Sequence, residues 1–373
     1  MLTETGIDPT TDFGGVPPNS PEPWAWRWRG LLFSLSAVLL FVPLLAGALI
    51  HVPYYLISPG EARGVAELIK VKGDQAQVYN PQGKILFTTV SLAGDVNIYQ
   101  ALVGWLDDDV EVVDERQITG GAPRQEVRQL NIQAMVDSKL TATKVALERL
   151  GYRVAVSGDG ALVIAVGPGT PAEGKLRIGD VITAIDGETV SLHDQVITKV
   201  RQHRPGDQID IRFRRDGAEQ TIRLTSTTNP EGQALIGVSL QTNDLKYNFP
   251  VDVNIETGLV GGPSAGLAFT LALIDDLSPG ELTGGRAVAV TGTMDAEGKV
   301  GQVGGVAQKT VTARRAGAVA FLVPPAEAKE ARAHAGKMRI IPVETLNDAL
   351  AALKELGGSG VALPTGSAPS KPS

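Results

Sequence analysis

Twenty consecutive residues, Leu31 to Ile50, carry no charge, and only Ser34 and Ser36 among them are clearly polar. At helical rise such a run spans about 30 Å, the thickness of a bilayer's hydrocarbon core. Trp26 and Trp28 precede it and Tyr54 and Tyr55 come after it, like the aromatic belts of a membrane-crossing helix. Arg27 and Arg29 abut its N-terminal side, and after it the next basic residue besides His51 is Arg63. The positive-inside rule then predicts a single-pass protein of the cytoplasmic membrane, its N-terminus inside and its body extracytoplasmic. A buried helix and a signal peptide cleaved near Ala46-Gly47-Ala48 are the rivals; the length of the run and the 30-residue leader weigh against them. Residues 1–30, rich in Pro, Gly, Thr and acidic groups, have too little apolar content to fold alone.

Beyond the run the chain is globular in composition. It has 373 residues, 43% of them hydrophobic and 20% charged, enough for about two domains. A net charge of -7 with no basic stripe speaks against a nucleic-acid partner. With no cysteine there is no disulfide scaffold, no Cys-based metal site and no Cys nucleophile. From 58 to 143 short strands are expected at Ala66–Val71, Gln75–Tyr79 and Ile85–Ser91. A helix is expected over Asn97 to Leu106 with Ile98, Ala101, Leu102 and Trp105 on one face. Glu126 to Leu150 then reads as one or two helices, broken near Thr141. This segment carries no catalytic cluster and is expected to pack on the domain at 229–356.

Residues 144–228 read as a separate unit. A strand over Ala161–Val166 leads through Gly167-Pro168-Gly169-Thr170-Pro171-Ala172 into a tight turn, a second strand and an amphipathic helix at Val190 to Arg201. Ile209–Arg214 and Gln220–Leu224 form a hairpin across Asp216-Gly217. The run "PGTPAEGKLRIGDVITAIDG" resembles the PDZ domains of bacterial proteases. That resemblance implies a peptide added as a strand beside an exposed sheet edge. It places the carboxylate-binding loop at Leu150-Gly151-Tyr152, with Val154 and Val196 lining the groove.

Gly261-Gly262-Pro263-Ser264-Ala265-Gly266 opens an apolar stretch to Leu277 that reads as a buried helix. Ser264 at its start has two possible uses: to cap the helix, or to act as a nucleophile beside unpaired first-turn N–H groups. A nucleophilic serine needs a base, and none of His51, His193, His203 or His334 lies near it in sequence. Lysine serves when its neutral amine is populated. Lys309 sits early in a helix, where the dipole disfavours a second cation, among the small or apolar Val303, Val306 and Ala307. Thr291, closing the strand at Ala287–Val290, can hydrogen-bond the amine.

The segments "GGPSAGLAF", "VTGTMDAEGKVGQVGGVAQK" and "TVTARRAGA" resemble the proteolytic domain of Lon-type Ser/Lys proteases. The resemblance implies Ser264 as nucleophile, Lys309 as general base, Thr291 orienting the lysine, and backbone N–H groups of Ser264 and Ala265 as oxyanion donors. The 45 residues between serine and lysine also fit. With the uncharged run in front and the PDZ-like unit between, the chain resembles bacterial membrane-anchored Lon-like PDZ proteases. An α+β fold, polypeptide substrates, no cofactor and a hexameric ring are implied. Lon-type sites usually carry an acidic residue where this chain has Gly261. No G-x-x-x-x-G-K-[ST] loop is present, so an ATP-independent endopeptidase is expected. The rival is a catalytically inactive membrane-anchored peptide-binding or assembly protein. Residues 357–373, rich in Gly, Pro and Ser, read as a disordered tail.

Overall fold

The computed structural model describes residues 31, 32, 34–36, 39, 42, 45–73 and 76–361. The leader 1–30 and most of the expected C-terminal tail lie outside the described residues. So do seven positions of the uncharged run, on which the expected membrane span partly falls. Among the described residues no helix is long and apolar enough to cross a membrane. The chain divides into two compact units, one of residues up to Leu56 with Leu92–Ile118, the other of Ile57–Ser91 with Thr119 onward.

In the first unit the described residues of 31–49 are helical, and the leucines among them are exposed. His51–Val52 pairs antiparallel with Val96–Asn97. Asn97 then caps the helix Ile98–Leu106, accepting from the Gln100 N–H at 2.9 Å, while Gln100 Oε1 accepts from the Asn97 N–H at 2.8 Å. Of the apolar face expected on this helix only Ala101 is buried, joined by Gly104; Ile98, Leu102 and Trp105 are exposed.

The second unit is built on a sheet whose strands are ordered Arg339–Pro342, Ala320–Val323, Ala287–Val290, Lys84–Ala93 and Tyr54–Gly64. The middle strands, Val- and Ala-rich and without a polar residue at Ala287–Val290 or Ala320–Val323, run parallel and are buried. The apolar helix Gly266–Leu277 is buried along its whole length, with Phe269 against Phe87 at 5.9 Å between ring centroids. Val65, Ile85, Phe87 and Met135 share this core with the helix, so the segment before the PDZ-like unit builds the same domain as the segment after it. Ala66–Val71 is a short helical turn and then a strand at Ile69–Lys72, which pairs antiparallel with Asp252–Ile255. No strand forms at 76–79.

Arg124–Arg149 is one unbroken helix. It runs through Thr141 without the expected break, and Thr143 inside it donates its hydroxyl back to the Lys139 carbonyl at 2.8 Å. The PDZ-like sheet is ordered Ala218–Thr225, Gln208–Arg215, Val181–Ile185, Ala161–Val166 and Val238–Thr242. Its last strand thus lies beyond residue 228, where this unit was expected to end. The hairpin turn at Asp216-Gly217 has φ of 51° and 82°, the pair of positive values a two-residue turn requires. Gly357 to Val361, expected in the tail, returns to the catalytic core: Ser359 Oγ accepts from the Glu281 N–H at 2.7 Å, and Val361 packs on the cluster around Phe269.

Candidate active site

Strand Ala287–Val290 ends at Thr291, whose N–H still continues the parallel ladder by donating to the Leu322 carbonyl at 3.0 Å. Beyond it Gly292 donates to the Ser264 carbonyl at 3.0 Å, and Thr291 Oγ1 donates to the same oxygen at 3.3 Å. The Ser264 main chain is thereby tied to the strand end. The other side of the turn rests on the long helix Arg124–Arg149: the Gly262 N–H donates to the Asn131 carbonyl at 2.8 Å and Ser138 Oγ to the Pro263 carbonyl at 3.0 Å. Gly262 has φ of 90°, a conformation open to glycine. A side chain at Gly261, an exposed position, would put its Cβ 3.1 Å from that of Asn131, a tight contact that asks Asn131 to give by a few tenths of an ångström.

The Ser264 hydroxyl does not cap the helix. The cap position is Ala265, without a side-chain hydrogen bond, and the first helical residue is Gly266. The Gly266 N–H donates to the Pro263 carbonyl at 3.2 Å and that of Leu267 to Gly292 at 3.1 Å. Among the described residues the N–H groups of Ser264 and Ala265 have no backbone acceptor. The half-buried serine thus stands at a helix N-terminus beside two N–H groups without a backbone acceptor.

Lys309 enters from the helix Val306–Arg315, whose cap Gly305 has φ of 65° and lies so close to Val90 that a Cβ would fall 2.8 Å from its Cγ1. The lysine is 3% exposed, and its Nζ donates to Thr291 Oγ1 at 3.4 Å. Burial pushes its pKa down to about 8, and the Glu327 carboxylate pulls it the other way. Thr291 therefore bridges the two residues, accepting from the lysine and donating to the serine's carbonyl. A buried lysine with a partly neutral amine, held through a hydroxyl to the backbone of a helix-entry serine, can take and return a proton.

Three residues of this surround escape a reading of the sequence. Glu327 Oε1 accepts from the Val303 N–H at 3.3 Å, while its Oε2 is buried without a partner. Glu330 accepts from the Ala307 N–H at 3.3 Å, putting a carboxylate on the positive end of the lysine helix. Thr88 comes directly after Phe87, the register partner of Val290, and its buried hydroxyl is also unpartnered. No local pattern marks the two glutamates, because each bonds an N–H on another segment. His193 and His203 are held elsewhere, on Thr242 at 2.8 Å and on Asp186 at 2.7 Å. Among the described residues no cluster of three or more His, Asp or Glu side chains stands ready for a metal.

The expected PDZ groove needs correction. Leu150 caps the end of the long helix and is buried in the core shared with Phe269, and Tyr152 and Val154 pack on that same core. Gly151 has φ of 87° and sits at the same helix end. Leu150, Tyr152 and Val154 thus belong to the seam with the core around Phe269, while Gly151 turns the chain at the helix end. Only Val196 lies within the PDZ core. Ala218–Thr225 and Val238–Thr242 are the two edge strands of the sheet; Val238–Thr242 is the one that contacts the helix His193–Arg201, and it is preceded by Ile236-Gly237, the glycine at φ of 87°. Apolar residues before a first strand suggest a groove in the sequence; the strand that closes the sheet arrives some seventy residues later.

Asp180 organises the same unit. It is fully buried, and although burial alone would raise its pKa, the two-pronged Arg215 at 2.6 and 2.7 Å and the Arg177 N–H hold it below the ordinary carboxylate value.

Comparison with known proteins agrees with this layout. Residues 148–225 match the PDZ domain and residues 240–355 the Lon protease (S16) C-terminal proteolytic domain. Lon protease 1 of Myxococcus xanthus is 35% identical over 109 residues, 28% of this chain and 13% of that protein. Lon protease of Chloroflexus aggregans is 36% identical over 106 residues, 27% of this chain and 13% of that one. A probable periplasmic serine endoprotease DegP-like of a Marinomonas species is 32% identical over 84 residues, 22% of this chain and 18% of the other. The matches span less than a fifth of each of these relatives. Residues 240–355 are thus a Lon-type proteolytic domain and residues 148–225 a PDZ domain, an architecture that fits a Lon-like protease carrying a PDZ domain.

Proposed function

We propose that the protein is an ATP-independent serine endopeptidase, anchored in the cytoplasmic membrane by residues 31–50, whose extracytoplasmic body cleaves accessible or unstructured polypeptide segments. The observation that carries this reading is the buried Lys309, hydrogen-bonded to the Thr291 hydroxyl that also meets the Ser264 carbonyl. Ser264 Oγ attacks the scissile carbonyl as the Lys309 amine takes its proton, and the lysine returns that proton to the leaving amine. The N–H groups of Ser264 and Ala265 receive the charge that develops on the carbonyl oxygen. Anchoring is supported by the uncharged run and by the exposure of its described leucines. The PDZ unit selects substrate by adding an extended segment beside Val238–Thr242, an edge strand left open in its sheet.

Purified full-length protein and its Ser264→Ala variant are compared for cleavage of a casein-like substrate and for labelling by a serine-directed fluorophosphonate. Wild type cleaves and labels and the variant does neither; equal behaviour of the two removes the assignment.

A further inference from the structure

The helix Ile98–Leu106 contains no charged residue, and Gln100 is its one strongly polar side chain. Ala101 and Gly104 turn inward, where a Cβ on Gly104 would lie 2.8 Å from Leu56. The rest of its circumference is apolar and open: Leu106 is 80% exposed, Val103 65%, Trp105 59% and Leu102 49%. At 100° per residue, Trp105, Ile98, Leu102, Leu106, Tyr99 and Val103 succeed one another around a single arc opposite the buried face. A contiguous apolar face of this kind is not left in water without a use.

Its position is fixed by the end of the uncharged run. The Ile98 N–H donates to the carbonyl of Ile50, the last residue of that run, at 3.3 Å. His51 and Val52 pair with Asn97 and Val96, and Gly47 lies so close to the Tyr99 ring that a Cβ would fall 2.8 Å from it. The helix therefore begins at the level where the uncharged run stops. At that level Tyr54 meets Trp105 edge to face at 5.8 Å, the amphipathic ring pair favoured where hydrocarbon gives way to headgroups. Asp107-Asp108-Asp109 comes at once and returns the chain to water.

We infer that Ile98–Leu106 is an interfacial helix, its Trp105–Leu102–Leu106 face seated in the headgroup–acyl boundary of the same bilayer that residues 31–50 cross. This rests on the membrane-anchored reading and extends it: the protein touches the bilayer with a second element, and the first unit rides on the surface instead of hanging from a single tether.

The test uses the full chain with Trp24, Trp26 and Trp28 replaced by Phe, which leaves Trp105 as the one tryptophan. It is reconstituted into phosphatidylcholine vesicles brominated either close to the headgroup or at the acyl tail end. The expected result is flotation with the vesicles, quenching of Trp105 by the shallow bromines more than the deep ones, and protection from aqueous iodide. In Val103→Asp/Leu106→Asp, with the far-UV circular dichroism unchanged, flotation persists and the shallow quenching is lost. Flotation with Trp105 open to iodide and untouched by either bromolipid overturns the inference and leaves the anchoring reading standing. Protection from both quenchers that varies with the protein-to-lipid ratio assigns the face to a second copy and also overturns it. Failure to float overturns both readings.

Discussion

Replacing Glu327 by Gln tests the electrostatics of the proton path. Lys309, with its pKa pushed down to about 8, holds roughly a tenth of its amine in the neutral form at pH 7. An unburied lysine near 10.5 would hold about 0.03%, so burial supplies about 300-fold more base, equivalent to about 3 kcal/mol. Glu327 opposes this, favouring the ammonium across the buried space below the lysine helix. Gln keeps the acceptor for the Val303 N–H and removes the charge. The lysine pKa should then fall by about one unit, since a partner outside ion-pair contact contributes roughly 1–2 kcal/mol at a partly screened site. Because the neutral amine is the active form, activity rises with pH through the lysine pKa. The acid limb of kcat/KM should lie at about pH 8 in the wild type and at about pH 7 in the variant. The profile is measured on a fluorogenic unstructured substrate from about pH 6 to about pH 10, alongside Ser264→Ala. A limb that stays in place, or moves to higher pH, refutes Glu327 as the group that sets the lysine and weakens Lys309 as the base.

Four further outcomes are expected from the same structure. Lys309→Met abolishes cleavage yet raises thermal stability at pH 7, by up to about 3 kcal/mol; a lysine depressed in the fold costs stability below its folded pKa, and that cost fades from about pH 8 to about pH 10.5, so the gain should fade over the same range in melts. Asp276 and Asp275, raised by burial to about 7 and about 6, bind protons in the fold that they release on unfolding; stability should fall as pH rises from about 4 to about 7, and Asp276→Asn should flatten that fall in denaturant titrations. Arg215→Ala strands the fully buried Asp180 and should cost the PDZ unit about 3–5 kcal/mol, seen as its early loss of amide-exchange protection. Gly261→Asp, which restores the acid usual in Lon-type sites, crowds only Asn131 at an exposed position and should change stability by less than about 1 kcal/mol and gain no activity, as melting and kcat/KM will read.

The three candidate residues were legible because their signals are local in sequence: a Gly-Pro-Ser turn before an apolar helix, a strand closed by Thr291, and a lysine in a helix start; the structure joins them through the Thr291 hydroxyl. The strand at Ala287–Val290 was legible too, though its parallel pairing with Lys84–Ala93 and Ala320–Val323 was not. The illegible part depended on which of two cores an apolar residue joins. Leu150, Tyr152 and Val154 are apolar enough for a groove, but they are drawn to the larger core around Phe269 by the helix that delivers them. The edge strand Val238–Thr242 pairs with Ala161–Val166 from across the whole PDZ unit, a register that no short window contains. Glu327 carries no local signal, because its part at the site comes from the Val303 N–H and a lysine on another helix.

Ala155–Ser157 and Lys246–Asn248, the way into the PDZ unit and the way out, pair with each other as a two-stranded ribbon. Tyr247 and Phe249 stack at the exit, 5.7 Å apart. The PDZ unit is therefore a parenthesis, opened and closed at one point on the catalytic domain. The long helix that ends at its opening carries Asn131 and Ser138, both bonded to the turn that holds Ser264. The way into the PDZ unit and the turn that holds Ser264 therefore hang on one continuous helix.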